Sequence, residues 1–377
     1  MSLSEFYNVM RKQIVLFLFS ASLIACTHED KSDALMAVDL SDLSKTETIN
    51  ISEFVSDLQY VKLETSDSCL IDQSPVFYVA DDYIFSVAGR QIYRFSRQDG
   101  RFLGALANRG DGPGEYVRTS TTLPLDYESR TFAAYNGRGR IDYKFDGTVA
   151  QQIPRPEGVA CLDIVRVTPD LYAGYLFNSE EKLVLFDREG TVVRRFQNPN
   201  VVPMTAMVVP FCDFFVYGDR VNLLEALDDT IRSIDPEAGL LPRYCLDWGN
   251  HEIELDKMTN PALSRELCFS QKACESDGAL FVRYIYQGEP RLSVYDKRKG
   301  VTRHSDRGGS LTNDVDNFAP VALSSLDNGL FVGYITAEAF GEWAENRPDD
   351  WVGSPRLTDL MEMGEMDNPV VVIGKIK

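Results

Sequence analysis

A turn built from an aspartate and a glycine returns along this chain, each time after one short strand-like run and before another. The turn glycines are Gly100, Gly147, Gly190, Gly239 and Gly300, which gives steps of 47, 43, 49 and 61 residues. Such self-similarity constrains the fold more than composition does, because each unit carries apolar faces that only a neighbouring unit can bury. The first complete unit runs from Tyr83 to Tyr116. Tyr83 to Val87 alternates apolar and small residues, Gln91 to Phe95 runs back, Arg97-Gln98-Asp99-Gly100 turns, and Phe102 to Leu106 makes a third strand. This is one antiparallel meander.

Steps of roughly 40 to 50 residues are those of β-propeller blades. The first three fit, and the fourth requires an insertion, which the sequence places at Asp247 to Lys272 with a short helix from Pro261 to Leu267. Strand pairs precede the turns: Thr131 to Tyr135 with Arg140 to Tyr143, Leu171 to Leu176 with Lys182 to Phe186, Phe214 to Tyr217 with Val221 to Ala226, and Ala279 to Ile285 with Pro290 to Tyr295. A last unit begins at Gly329 to Ile335 but lacks its turn. It passes through a polar excursion and a short helix at Leu357 to Met363, then ends in a strand from Pro369 to Ile376. Radial sheets left open expose an edge, so Leu58 to Glu64 is the expected partner of the tail. The expectation is an all-β, six-bladed propeller of four-stranded antiparallel blades over residues 49–377, closed by its N- and C-terminal strands.

The N-terminus reads as an address. Arg11-Lys12 precedes an apolar run from Ile14 to Ile24, shorter than the ~20 residues of a membrane span and patterned as an export signal. Leu23-Ile24-Ala25-Cys26 resembles a bacterial lipobox, which implies removal of residues 1–25 and acylation of Cys26. Glu29-Asp30 behind it resembles the surface-export signal of Bacteroidetes lipoproteins, or serves only as a polar spacer. Residues 26–48 are polar with few aromatics, the composition of a flexible acidic tether. The chain carries 38 basic and 57 acidic residues, net charge -19, with no basic patch, and this excludes a nucleic-acid partner.

Four segments, YVKLET (Tyr60 to Thr65), IYRFSRQDGRFLG (Ile92 to Gly104), GDGPGEY (Gly110 to Tyr116) and NPVVVIGKIK (Asn368 to Lys377), together resemble the six-bladed β-propeller lipoproteins of the Bacteroidetes and, more distantly, NHL-repeat propellers. The resemblance covers nearly all of the mature chain. It implies the fold and an outer-membrane lipoprotein, periplasmic or surface-exposed, and it implies little about activity.

Chemistry is sparsely signalled. Only His28, His251 and His304 are present, without H-E-x-x-H or G-x-S-x-G, which argues against zinc-histidine and serine-triad mechanisms. The seven cysteines contain no C-x-x-C and match no metal module; Cys268 and Cys274 are the pair that an oxidising compartment could bridge. Gly110, Gly112, Pro113, Gly114 and Glu115 carry the residue pattern of a type II turn and read as a blade-to-blade corner. The acidic runs Asp228-Asp229, Asn313 to Asn317 and Asp349-Asp350 read as solvated turns. Calcium is the ion they would hold if they held one, and no cofactor is otherwise expected. Trp343, Arg347 and Trp351 stand in the polar excursion, either as a ligand-stacking set or as a plug on the ring. The expected function is therefore recognition of a glycan, peptide or envelope protein by a monomeric, membrane-anchored propeller. A lactonase-like hydrolase or lyase with a carboxylate-held metal, and a scaffold subunit of an envelope complex, are the alternatives.

Overall fold

The computed structural model describes residues 35–71, 75–88, 91–119, 124–198, 201, 212–225, 227–258 and 261–377. Cys26 and the export signal lie outside the described residues. The described residues open with two short strands, β1 (Met36–Asp39) and β2 (Thr46–Glu47), then β3 (Val55–Lys62). Blade 1 follows as β4 (Val76–Ala80), β5 (Tyr83–Ala88), β6 (Gln91–Ser96) and β7 (Phe102–Ala105). Blade 2 is β8 (Arg118–Thr119) and β9 (Leu125–Asp126), both paired to β10 (Thr131–Asn136), then β11 (Gly139–Lys144) and β12 (Val149–Pro154). Blade 3 is β13 (Asp163–Thr168), β14 (Leu171–Tyr175), β15 (Glu181–Phe186) and β16 (Val192–Gln197). Blade 4 is β17 (Cys212–Tyr217), β18 (Arg220–Glu225), β19 (Asp228–Asp235) and β20 (Gly239–Asp247). Blade 5 is β21 (Phe269–Glu275), β22 (Ala279–Tyr286), β23 (Glu289–Asp296) and β24 (Val301–Ser305). Blade 6 is β25 (Ser310–Asn313), β26 (Phe318–Asp327), β27 (Leu330–Ile335) and β28 (Val370–Ile376), completed by β3 from the other end of the chain. The six-bladed propeller is thus observed, and the insertion before β21 holds two short helices, Leu255–Met258 and Pro261–Ser264.

Second strands such as β10 (TFAAYN) and β27 (LFVGYI) are buried along nearly their whole length, because a neighbouring blade covers each face. Outer strands such as β16 (VVRRFQ) are largely exposed. Aromatic pairs fill the interfaces: Phe85 against Phe132 at 5.1 Å, Tyr175 against Phe214 at 6.2 Å, Trp248 against Tyr284 at 4.8 Å and Phe77 against Tyr334 at 5.5 Å. Burial of such rings dominates core energetics.

Closure is antiparallel, with Val371 opposite Val61 and Val372 opposite Tyr60. A polar clasp locks it. Tyr60 Oη donates to Asp316 (2.6 Å), Arg356 forms an ion pair with the same carboxylate (2.7 Å), and Asp314 accepts from the Ser52 backbone N–H (3.0 Å). Asn368 donates to the carbonyls of Glu64 and Cys69 and accepts from Ile71 N–H.

The expected tether requires correction. Within residues 26–48, β1 pairs in parallel with β20 and β2 in parallel with β24, and an Asn50–Thr312 bridge continues the path. Residues 36–47 therefore strap the outer edges of blades 4 and 5, and the bridge at Asn50 reaches β25, at the end of the blade 6 sheet opposite β3. Val38 and Leu40 are buried in the cluster that holds Trp248, so a two-residue apolar alternation outweighs the polar composition around it. Cys268 and Cys274, the pair that an oxidising compartment could bridge, are not joined, both thiols being free. Cys274 sits six residues along from Cys268, on β21, and at ~3.3 Å per residue the two are far beyond disulfide reach.

Deleting the chain before Thr48 should leave the ring folded, with an unchanged far-ultraviolet circular dichroism spectrum. It also bares the edges of β20 and β24, so light scattering should show concentration-dependent self-association. A monodisperse truncated protein of unchanged stability would show that the strap protects nothing.

Candidate functional site

In five blades the second and third strands are joined by short hairpins, but between β27 and β28 the chain departs for residues 336–369. Its first element is a helix, Ala337–Asn346, capped by Thr336 Oγ1 accepting from Ala339 N–H at 3.1 Å. Phe340, Trp343 and Ala344 fall on one helical face at i, i+3 and i+4, and Trp343 and Phe340 meet Phe318 of β26 at 4.5 and 5.9 Å. The helix therefore lies against the start of blade 6's inner strand, on the face from which the inner strands set out.

Between this helix and the β24–β25 connection runs a groove of two lobes. The first, about 730 Å³, has Phe318 and Trp343 in its lining with Asn313, Asp314, Asn317 and Asn346 around them. The second, about 740 Å³, reaches towards the ring axis past Gln271, Arg283 and Arg291. Arg307, Ser310, Ala339 and Glu342 line both lobes. Each lobe contains a residue with a buried polar atom that has no protein partner: Thr312 Oγ1 in the first and Arg291 Nε in the second. Groups of this kind are rare in native folds and call for a ligand or ordered water.

The structure gathers Trp343, Arg347 and Trp351 and gives them different tasks. The indoles meet edge to face at 5.1 Å, and the Arg347 guanidinium lies 5.7 Å from the Trp343 ring and 5.3 Å from that of Trp351. Trp351 Nε1 donates to Asn317 O at 2.8 Å. Of the three, Trp343 alone lines the groove, and the other two brace it. The Gly110 to Glu115 segment is remote from the groove. Gly114 has φ +75°, Glu115 N–H donates to Gly112 O at 3.1 Å, and the Glu115 carboxylate accepts from Gly112 N–H at 2.9 Å. A Cβ at Gly110 would come within 2.1 Å of that carboxylate, so the glycines are there to let the chain wrap around it. The acidic runs are partly consumed: Asp228 pairs with Arg232 at 2.6 Å, and Asp314 and Asp316 belong to the closure clasp.

Buried charge also lies near the ring axis. Asp213 on β17 accepts from Ala273 N–H of β21 at 2.8 Å, and burial pushes its carboxyl up to about 7 against the pull of Lys272. The Lys272 ammonium is buried, 5.5 Å from the Tyr78 ring and without a hydrogen-bond partner. Burial raises Asp327 to about 6. Beside Asp327, on the opposite face, two smaller cavities of about 240 and 380 Å³ share Val216 and Asp327. Among the described residues no three His, Cys, Asp or Glu side chains converge as a metal site requires, and no helix is long and apolar enough to cross a membrane.

A family model described as a domain of unknown function, DUF4934, matches residues 36–375. The chain belongs to the DUF4934 family. No curated protein matches it. This DUF4934 propeller is similar to a Bacteroides fragilis protein, BF0058, described as exported, with TM-score 0.65 and 17% identity over 91% of this chain and 99% of that one. A member of the DUF4221 family from Bacteroides vulgatus aligns with TM-score 0.50 and 8% identity, covering 89% and 99% of the two chains. At these identities the likeness shows the fold.

Arg283, Arg291, Thr312 and the helix that walls the groove escaped sequence reasoning. The available signals were Thr336 as an N-cap ahead of the Phe340/Trp343/Ala344 spacing, and an arginine interrupting the apolar run of β22 (ALFVRYIY).

The raised carboxyl of Asp213 gives a signed pH prediction. An aspartate that titrates near 3.8 when unfolded and about 7 when folded holds its proton more tightly in the native state. The stability this gives is present at low pH and is lost as pH climbs from about 4 to 7. Urea midpoints measured from pH 5 to 8 should therefore fall in the wild type relative to Asp213→Asn; parallel profiles would count against a buried, neutralised carboxyl.

Proposed function

We propose that this DUF4934 propeller is an exported recognition module that binds an oligosaccharide in the groove beside blade 6. The observation that carries the reading is the first lobe. Trp343 and Phe318 supply aromatic surface for the apolar face of a sugar ring, while the Asn317 amide and Asn346 Oδ1 present polar groups for its hydroxyls; the Asn313 amide and the Asp314 carboxylate are held by Tyr60 and Ser52 in the closure clasp. Thr312 Oγ1 is left buried and without a partner in the same lining. Sites of this size fix a ligand through a few placed polar groups on apolar walls. An extended apolar peptide would cover the Asn317 and Asn346 amides without pairing them, at a cost of about 1–3 kcal/mol each. The metal-dependent hydrolase reading draws no support from the described residues, where the carboxylate cluster it needs does not occur.

The lipobox-like Leu23-Ile24-Ala25-Cys26 and the exported structural relative support an envelope address. In this reading Cys26 holds the propeller at the outer membrane and the strap begins within about ten residues of the anchor. Cys26→Ala should move the protein from the membrane fraction to the soluble envelope fraction; unchanged retention would dismiss the anchor.

Two substitutions test the groove. Thr312→Val removes a hydroxyl that has no protein partner, so it should leave stability unchanged or raise it while weakening oligosaccharide binding measured by calorimetry. Trp343→Ala should weaken binding at least tenfold, about 1.4 kcal/mol. Full affinity in both variants would dismiss the groove as the binding site.

A further inference from the structure

The two walls of the groove are held in different ways. The helix Ala337–Asn346 rests on blade 6 through Phe340 and Trp343, which both meet Phe318. The facing wall, residues 306–314, is tied to a segment distant in sequence, the end of the strap and the residues that follow it. Asp306 N–H donates to Glu47 O at 3.1 Å, and Thr48 Oγ1 donates to the Asp306 carboxylate at 2.6 Å. Thr312 N–H donates to Ile49 O at 2.9 Å. Asp314 accepts from Ser52 N–H at 3.0 Å and also from the Ser52 hydroxyl. Asp306, Thr312 and Asp314 all line the first lobe.

Thr312 shows what these ties accomplish. Its N–H is taken by Ile49, which fixes its main chain, while its Oγ1 is buried without a protein partner. The hydroxyl left for a ligand is thus placed by a residue outside the groove. Ile49 and Ile51 are fully buried in the core that also holds Leu311, Phe318 and Phe340, so this end of the segment is pinned. The residues ahead of it are not. Thr46, Glu47 and Thr48 are exposed, and β2 pairs with β24 only at Thr46, opposite His304, and Glu47, opposite Ser305. Exposed hydrogen bonds with little apolar burial behind them open at a free energy well below that of global unfolding. The wall therefore leans on a segment able to open while the ring stays folded.

We infer that residues 47–52 are positioning residues for the groove, so that docking of the strap and binding of the ligand are coupled. A docked strap sets the 306–314 wall for the ligand, and a bound ligand holds the strap down. The inference rests on the oligosaccharide reading above. Coupling of this kind is reciprocal by linkage and is commonly worth about 5- to 150-fold in affinity. In the anchored protein the strap lies on the path from Cys26 to the ring, so a load on the N-terminal segment is felt at the groove.

Two measurements on the full exported chain test the coupling. Thr48→Val with Ser52→Ala removes both hydroxyl contacts and leaves the backbone ones. Hydrogen exchange at the amides of Asp306 and Thr312 should then quicken about fivefold or more, with β26 to β28 unchanged. Thr48→Ser with Ser52→Thr keeps both hydroxyls and should exchange as the wild type does. In calorimetry with uncharged hexasaccharides of β-glucose, β-xylose and β-mannose, the Val/Ala variant should bind about fivefold or more weaker than the wild type, at an unchanged urea midpoint. The reciprocal effect needs no variant: saturating the wild type with the sugar that binds should slow exchange at the same two amides. Unchanged exchange in the Val/Ala variant, or unchanged affinity with a loosened wall, would overturn the coupling and leave oligosaccharide recognition standing. If none of these sugars binds, the oligosaccharide reading falls, and the exchange comparison still decides whether the strap positions the wall.

Discussion

A ring of radial sheets has a backbone problem before it has a packing problem. Each blade ends in an outer strand whose N–H and C=O groups face outwards, and the last blade must close on the first. Here one strand from the N-terminus does the closing: β3 lies beside β28 with Val61, Tyr60 and Leu58 opposite Val371, Val372 and Gly374. The apolar register alone would permit a slip. Tyr60 prevents it, because its hydroxyl is shared between the Asp316 carboxylate (2.6 Å) and Asn313 Nδ2 (2.8 Å), and neither contact survives a one-residue shift. The closing strand then makes the strap necessary, since the chain has to travel to blade 6 from outside, and it does so by pairing with blades 4 and 5 on the way.

The inner edges pose the same problem at the axis, and side chains solve it from blade to blade. Tyr127 Oη donates to Val79 O at 3.1 Å, Tyr135 Oη to Ile164 O at 2.7 Å, and Arg283 Nη1 to Leu323 O at 2.8 Å. Asp213 accepts from Ala273 N–H at 2.8 Å and Ser324 Oγ from Phe77 N–H at 2.7 Å. Polar residues near the axis are therefore largely structural, and the elevated carboxyl of Asp213 follows from its burial, which outweighs the opposing pull of Lys272 and of the Ala273 amide.

The architecture was legible because its signal is covalent: a turn needs a residue free to take positive φ, and Gly100, Gly147, Gly190, Gly239 and Gly300 all do so, from +66° to +97°. At Gly100 a Cβ would lie 1.9 Å from Lys62 O, on the closing strand, so the turn that marks the repeat also touches the seam. The strap was not legible, since Val38 and Leu40 are two apolar residues in a polar stretch and acquire meaning only beside Trp248. The groove was half legible. Trp343 stood out for its polar surroundings, but Thr312 belongs to an ordinary strand, and what sets it apart is a hydrogen-bond partner missing in three dimensions.

The position of the groove follows from the closure. In blades 1 to 5 the second and third strands must be joined by tight hairpins, such as Gln287-Gly288 in blade 5, because the third and fourth strands follow directly in sequence. In blade 6 the fourth strand is already in place as β3, held by the clasp. The chain between β27 and β28 is then free to lengthen, since inserting residues into a connection whose ends are fixed costs only about 0.6 kcal/mol per doubling of length. That freedom is used for the helix Ala337–Asn346 and the Trp343–Trp351 pair, which wall the groove against the β24–β25 connection. The seam that closes the ring is thus also the place where a propeller can build a site without disturbing its repeat.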